Sequence, residues 1–232
     1  MKRKITLALA ILLVALSGKA QLDLSKKIPG IKYEKNYAFD NQLTMEIDFY
    51  TKKGSLQTTI PYTSYFTNDF QHIDIKHQQG NTVYHTLFDL PNNNCLILLG
   101  EGNQMMGSAS VMKDNSNREL KELPMTKTGD TKKILGQTCT KYTFDVPEFN
   151  GEMWITTQVA LLNDVGVLKA SKMGKYYQKI PVKGFVMEIT SVTPKGKKTV
   201  MRTTSLKEKS SYTVKIPDDF GAAINKIDYY AY

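Results

Sequence analysis

The sequence has little of what builds a reactive centre. It carries three histidines, His72, His77 and His85, and two cysteines, Cys95 and Cys139, in 232 residues. A zinc site needs three or four convergent ligands, and His72 and His77, an odd number of positions apart, face opposite ways on a strand. No metal site is expected, and the three histidines read as strand-surface residues. No nucleophile elbow, paired-carboxylate motif, glycine-rich phosphate loop or metalloprotease signature is present. The glycines of "GEGNQMMG" fit a hairpin turn better than a phosphate cradle. The sequence names no catalytic residue and no cofactor, so an enzyme is not expected. Helical periodicity is scarce too, confined to 115–123 and 158–179, the second stretch interrupted by Gly166 and Gly174. Internal repeats and low-complexity tracts are absent.

Long apolar runs are also missing, save one. After the basic "MKRK" comes "ITLALAILLVAL", 12 apolar residues, and then "SGKA". That order is a signal peptide over residues 1–20, cut after Ala20 to leave Gln21. The run falls well short of the ~20 residues that span a bilayer, and no cysteine follows the cut to take a lipid. The expectation is a soluble exported protein, periplasmic or extracellular, with no transmembrane segment once the signal is removed. Cleavage removes Lys2, Arg3, Lys4 and Lys19, so the net charge falls from +9 to +5. The remaining lysines lie scattered as "KK", "KGKK" and "KEK" at turns, a solvated rim. A nucleic-acid face needs clustered basic residues with stacking aromatics. Nucleic acid is thereby set aside, and attraction to anionic lipid headgroups is modest at this charge.

What the sequence has in abundance is alternation with a period of two. In "LTMEIDFY", Leu43, Met45, Ile47 and Phe49 point one way and Thr44, Glu46 and Asp48 the other, a half-buried strand. The pattern recurs in "SLQTTIPYTSYF", "HIDIKH", "NTVYHTLFDL", "CLILLGEG", "QTCTKYTFDV", "GEMWITT", "GFVMEITSV" and "KTVMRTTSL", all rich in β-branched and aromatic residues. Turn signals separate them, among them Lys53-Gly54, Gly80-Asn81, "PNNN" and Asn150-Gly151. The expected fold is mainly β: a hairpin meander in one strongly curved antiparallel sheet, with one or two short helices on its concave side. Residues 21–232 fit a single domain.

The block "TGDTKKILGQTCTKYTF", followed by "GEMWITT", "GFVMEITSVTPKGKKT" and "YTVKIPDDF", resembles the secreted family known as domain of unknown function 4412. "YEKNYAFDNQLTMEIDFY" and "TLFDLPNNNCLILLGEG" are similar to that family's early strands. The resemblance covers about residues 33–220. It implies a relative of the periplasmic carriers of outer-membrane lipoproteins, whose (LolA-like) fold is a half-open β barrel lidded by helices around an apolar cavity. The carriers' functional arginine has no counterpart here. Segment 159–183 and the tail 221–232 match no family motif.

The inner face of such a sheet is built from Leu43, Met45, Ile47 and Phe49, from Met153 and Ile155, and from Phe185, Met187 and Ile189. These nine are the candidates for an apolar ligand site, methionine being flexible enough to suit exchangeable ligands. A core filled by its own side chains is the alternative. Two functions are open on this basis: a carrier of an apolar or lipid-like ligand, or an envelope interaction module with a filled core and a protein partner. Trp154 falls on the polar side of its strand, where covering a helix suits it better than stacking on carbohydrate. Export favours oxidised thiols. In a simple meander, however, one strand separates those of Cys95 and Cys139, which puts them ~10 Å apart, beyond disulfide reach. No disulfide is expected, and Cys139 reads as a structural thiol beneath a covering helix.

Overall fold

The computed structural model of the protein describes residues 31–102, 105–114, 121–172, 178–217 and 227–229. The expected signal segment, most of the tail, and residues 115–120 of the first expected helix lie outside the described residues.

Alternating sequence becomes strand wherever the two faces of a segment meet different surroundings. The first run of hairpins comprises β2 (Asn41–Tyr50), β3 (Leu56–Phe66), β4 (His72–Gln79), β5 (Thr82–Asp89), β6 (Asn94–Leu99) and β7 (Met106–Asp114). The second comprises β8 (Met125–Ile134), β9 (Gln137–Val146), β10 (Phe149–Thr156), β11 (Phe185–Val192) and β12 (Lys198–Lys207). These two runs do not join at β7 and β8. Instead β12 pairs antiparallel with β2, from Lys198 opposite Tyr50 to Lys207 opposite Gln42. With β14 (Ile227–Tyr229) added parallel to β7, the order is β14-β7-β6-β5-β4-β3-β2-β12-β11-β10-β9-β8. β1 (Asn36–Phe39) and β13 (Tyr212–Lys215) form a separate antiparallel ribbon.

Two expectations are corrected by this order. The strands of Cys95 and Cys139, β6 and β9, are not separated by one strand but by the whole middle of the sheet. Both thiols are buried and free. The sheet is also neither closed nor strongly curled. It has no need to curl onto itself, because separate chain segments cover each face.

The face bearing Leu43, Met45 and Ile47 carries the larger core, continuous with Ile60, Tyr62, Ile73, Ile75, Phe88, Cys95, Met153, Phe185, Met187 and Met201. The described residues of the segment between β10 and β11, 157–172 and 178–184, lie over it. A helix over 158–179 is expected from the pattern, whereas among the described residues of this range the structure forms a 3-10 turn at Asn163–Val165 and a helix of five residues, α1 (Val167–Ser171). Gly166, extended at φ −112°, separates them. The Asn163 side chain is spent elsewhere: its amide donates to Gly184 O (3.1 Å) and its carbonyl accepts from Val186 N (2.8 Å), tying the segment to the start of β11. Ser64, fully buried on β3, donates to Val165 O. Val165, Val167 and Ala170 thus plug the centre of this face. Each fully buried side chain of valine size or larger contributes about 1.5–3 kcal/mol.

On the opposite face the β1–β13 ribbon seals a second core of Tyr37, Phe39, Leu87, Leu96, Leu98, Ala109, Val214 and Ile216. The chain is thus two-layered on one side over β5–β7 and plugged on the other over β2, β3 and β11. Among the described residues no helix is long and apolar enough to cross a membrane.

Candidate functional site

One end of the plugged face is left open. There the start of β2 (Leu43), the start of β11 (Phe185, Met187), the end of β12 (Thr203 to Leu206) and the β8–β9 turn (Leu135, Gln137) surround a pocket of about 290 Å³. Val159 and Leu161 of the covering segment form its remaining wall. A wider hollow of about 790 Å³ adjoins it and shares Gln137, Val159, Leu161 and Leu206. Its outer wall is polar: Asp40, Asn41, Asn68, Gln158, Glu208, Lys209 and Ser210. The cleft therefore runs from an apolar interior to a hydrophilic mouth. Asn41 Nδ2 donates to Asn68 Oδ1 (2.9 Å), and the Asp40 carboxylate accepts from Asn68 N (3.1 Å), which fixes that part of the mouth.

A β-bulge shapes the pocket floor. Thr203 lies opposite Met45, but Ser205 lies opposite Thr44, so the register slips by one residue at Thr204. Bulges re-aim side chains and are common beside functional sites. Here the slip places three successive hydroxyl residues on the pocket wall. Thr204 Oγ1 donates to Thr44 O (3.2 Å). The Thr203 hydroxyl, on a residue only 4 % exposed, has no hydrogen-bond partner.

The rim departs from ordinary surface in two independent ways. Five large apolar side chains stand exposed among the described residues. Leu135 (48 %) and Leu206 (36 %) belong to the cleft wall, and Leu162 (51 %) adjoins wall residue Leu161. Among the described residues left-handed backbone occurs at four non-glycine positions, and three of them, Phe70 (φ 58°), Leu135 (φ 50°) and Lys209 (φ 61°), line the cleft. A leucine in this region costs about 1–2 kcal/mol. Leu135 and Gly136 are the central pair of the two-residue β8–β9 turn, both with positive φ. Asparagine usually fills that first position; leucine there holds an apolar side chain over the cleft. Strained backbone persists where the surroundings enforce it, and it concentrates at ligand sites.

The nine candidates divide unevenly around this geometry. Leu43, Phe185 and Met187 line the pocket. Met45, Ile47, Met153 and Ile155 are buried in the core behind it, and Phe49 and Ile189 pack half-buried against that core. Gln137, Val159, Leu161, Thr203 and the rim leucines are not among the nine.

The histidines are not the strand-surface residues expected. His85 is 1 % exposed on the ribbon side, its Nδ1 2.9 Å from the fully buried Asp74 carboxylate. Its Nε2 is buried and has no hydrogen-bond partner among the described residues. His72 lies 3.4 Å from Asp89, which also accepts from Tyr37 OH (2.8 Å). His77 is on the plugged face between the Tyr62 and Tyr84 rings, each centred 4.9 Å away, and burial lowers its pKa to about 4. Trp154 is buried in the larger core, with Lys132 Nζ 4.3 Å from its ring centre and Lys141 Nζ 5.7 Å. Cys139 is fully buried on β9 opposite Lys132. Burial pushes the Cys95 thiol up to about 12 and lowers Lys169 to about 8, with Asp164 3.9 Å from the amine. Among the described residues no group of three or more His, Cys, Asp or Glu could hold a metal ion.

No family model matches the chain, and no curated protein matches it. Among solved structures it is similar to PNGF-II in a P21 crystal form, at 16 % identity and a TM-score of 0.39 over 80 % of this chain. PNGF-II in a C2 form gives 16 % and 0.36 over 78 %. The chain spans only 31 % of the length of PNGF-II in either form. A DUF1329 family protein from Desulfovibrio piger gives 11 % identity and a TM-score of 0.29, over 74 % of this chain and 86 % of that one. Likeness of this degree carries no functional argument.

Proposed function

We propose that the protein is an exported, non-enzymatic binding protein that carries an apolar or lipid-like ligand in the cleft at the end of its plugged face. The observation that carries this reading is a coincidence of three features at one place. A pocket walled mainly by apolar side chains, two of the four exposed leucines of the described residues with a third adjoining, and three of their four left-handed non-glycine residues all meet there. Exposed leucine and strained backbone are both unfavourable in the free protein, and a ligand that covers the leucines offsets the first. At about 290 Å³ the apolar part sits near the lower end of the ~300–1,000 Å³ typical of small-molecule sites. That size suits a single aliphatic chain better than a two-chain lipid. The basic, apolar and small-residue order of residues 1–20 supports export.

Leu135 is exposed, so a charge there does not enter the core. Nile red titration should show saturable uptake by the wild type and at least tenfold weaker uptake by Leu135→Asp, with unchanged far-ultraviolet circular dichroism. Absence of uptake by the wild type, or equal uptake by both, would refute the carrier reading. A protein partner lost from purified Leu135→Asp, with no dye uptake by the wild type, would instead support the interaction module, in which the same leucines dock another chain.

A further inference from the structure

We propose that the cleft selects an amphiphile whose buried part carries an uncharged hydrogen-bonding group, received by the Thr203 hydroxyl, and that it disfavours anionic ligands. The inference rests on the cleft being a ligand site, as proposed above, and adds what the ligand must contain.

Thr203 carries the argument. A buried hydroxyl without a partner is unfavourable and uncommon in folded proteins. This one lies on a pocket wall with Leu43, Phe185 and Met187, at the β-bulge that places it there. A strand without the bulge would continue plain alternation past this point. The neighbouring hydroxyl of Thr204 is already bonded to Thr44 O, so of the two threonines Thr203 is the one left for an incoming partner. A hydroxyl both donates and accepts; an ester or amide carbonyl, or an alcohol, satisfies it equally.

Charge defines what is excluded. The wall of the inner pocket contains no Asp, Glu, Lys, Arg or His. An ionised group drawn inside would meet no counter-ion and lose its hydration. At the mouth, Asp40 and Glu208 outnumber Lys209, so the cleft is locally negative on a chain whose formal net charge is +9. An anionic head held at the mouth meets like charge, and a neutral or cationic head does not. The opposite preference would be expected if the chain's overall charge governed binding.

Three probes sharing a ten-carbon chain separate these terms: monodecanoylglycerol (neutral, with an ester), decanoate (anionic) and decyltrimethylammonium (cationic, without a hydrogen-bonding group). Each is used below its micellar concentration to displace Nile red from the mature protein. The expected result is that decanoate competes at least tenfold more weakly than monodecanoylglycerol. Thr203→Val keeps the side-chain shape and removes a hydroxyl that has no partner, so it should fold. In this variant the preference for monodecanoylglycerol over decyltrimethylammonium should fall roughly fivefold, the effect of one neutral hydrogen bond, and Thr203→Ser should restore it. Equal competition by all three probes, or an unchanged preference in Thr203→Val, would overturn the selection proposed here while leaving the carrier reading intact. No displacement by any probe would overturn both.

Discussion

His77 should make the stability of this protein fall in mildly acidic solution, and replacing it with phenylalanine should remove the fall. The ring is half-buried between Tyr62 and Tyr84, and burial lowers its pKa from 6.5 to about 4, with the nearby His85 adding to the effect. The folded protein therefore resists a proton that the unfolded chain accepts readily. As pH drops below 6.5 the unfolded state is protonated first, so stability is lost progressively until about pH 4, below which the loss is complete. A displacement of this size corresponds to about 3 kcal/mol, which partial exposure to solvent reduces to about 2 kcal/mol. Asp48, Asp69 and Glu101, whose pKa values are lowered below the ordinary carboxylate range, begin to lose their stabilisation only at the acid end of this window, and both proteins share that loss. Phenylalanine keeps a ring between the two tyrosines and does not titrate. Urea unfolding of both proteins at pH 6.5, 5.5 and 4.5, with a constant m value, isolates the term. The wild type should lose stability across the series and His77→Phe should be nearly flat. Parallel curves, or an ordinary pKa for His77 by NMR, would refute the reasoning.

Two further substitutions probe the frame around the cleft. Gly151→Ala on β10 would drive a Cβ into the backbone carbonyl of Thr190 on β11, which cannot move without opening the pair. It should cost more than about 3 kcal/mol, and a midpoint within 1 M urea of the wild type would contradict this tight approach. Ser64→Ala removes the donor to Val165 O and leaves a buried carbonyl unpaired. The expected loss is about 1–3 kcal/mol, seen as a melting temperature lower by a few degrees. Hydrogen exchange should also quicken in Val165–Ala170 relative to β3, and unchanged protection would show that Ser64 does not anchor the plug.

Strands β2 to β6 and β9 to β12 were legible from their β-branched and aromatic residues, and in β2, β3 and β5 from alternation of the two faces, whereas β1, β8 and β13 were not singled out. Leu43, Met45, Ile47 and Phe49 do share a face, and so do Phe185, Met187 and Ile189 on their strand. Strand order was not legible. The helical spacing over 115–123 marks the β7–β8 connection as other than a tight hairpin but does not say where β8 goes, and the structure breaks the meander there and pairs β12 with β2. Segment 158–179 carries helical spacing, yet Asn163 commits its side chain to β11 instead of capping a helix, and Gly166 separates the 3-10 turn from α1. For the cleft, Leu43, Phe185 and Met187 were accessible from periodicity. Thr203 was not, because a threonine in "KTVMRTTSL" reads as an ordinary strand residue and a bulge leaves no mark on composition. The rim leucine does leave a mark: in "KILGQT" a leucine precedes glycine at the tip of a two-residue turn that ordinarily prefers asparagine.

Pairing β2 with β12 also has a kinetic consequence. Each hairpin run can form from contacts between chain neighbours, but the seam joins Leu43 to Leu206, far apart along the chain. Contacts of such long sequence separation are slow to form, because loop-closure entropy opposes them before any packing compensates. The pocket draws its walls from both sides of that seam. A refolding chain can therefore contain most of its hairpins while the pocket is still missing. In stopped-flow refolding, recovery of dye binding should lag recovery of β-sheet dichroism, and the lag would measure how long the two halves wait to meet.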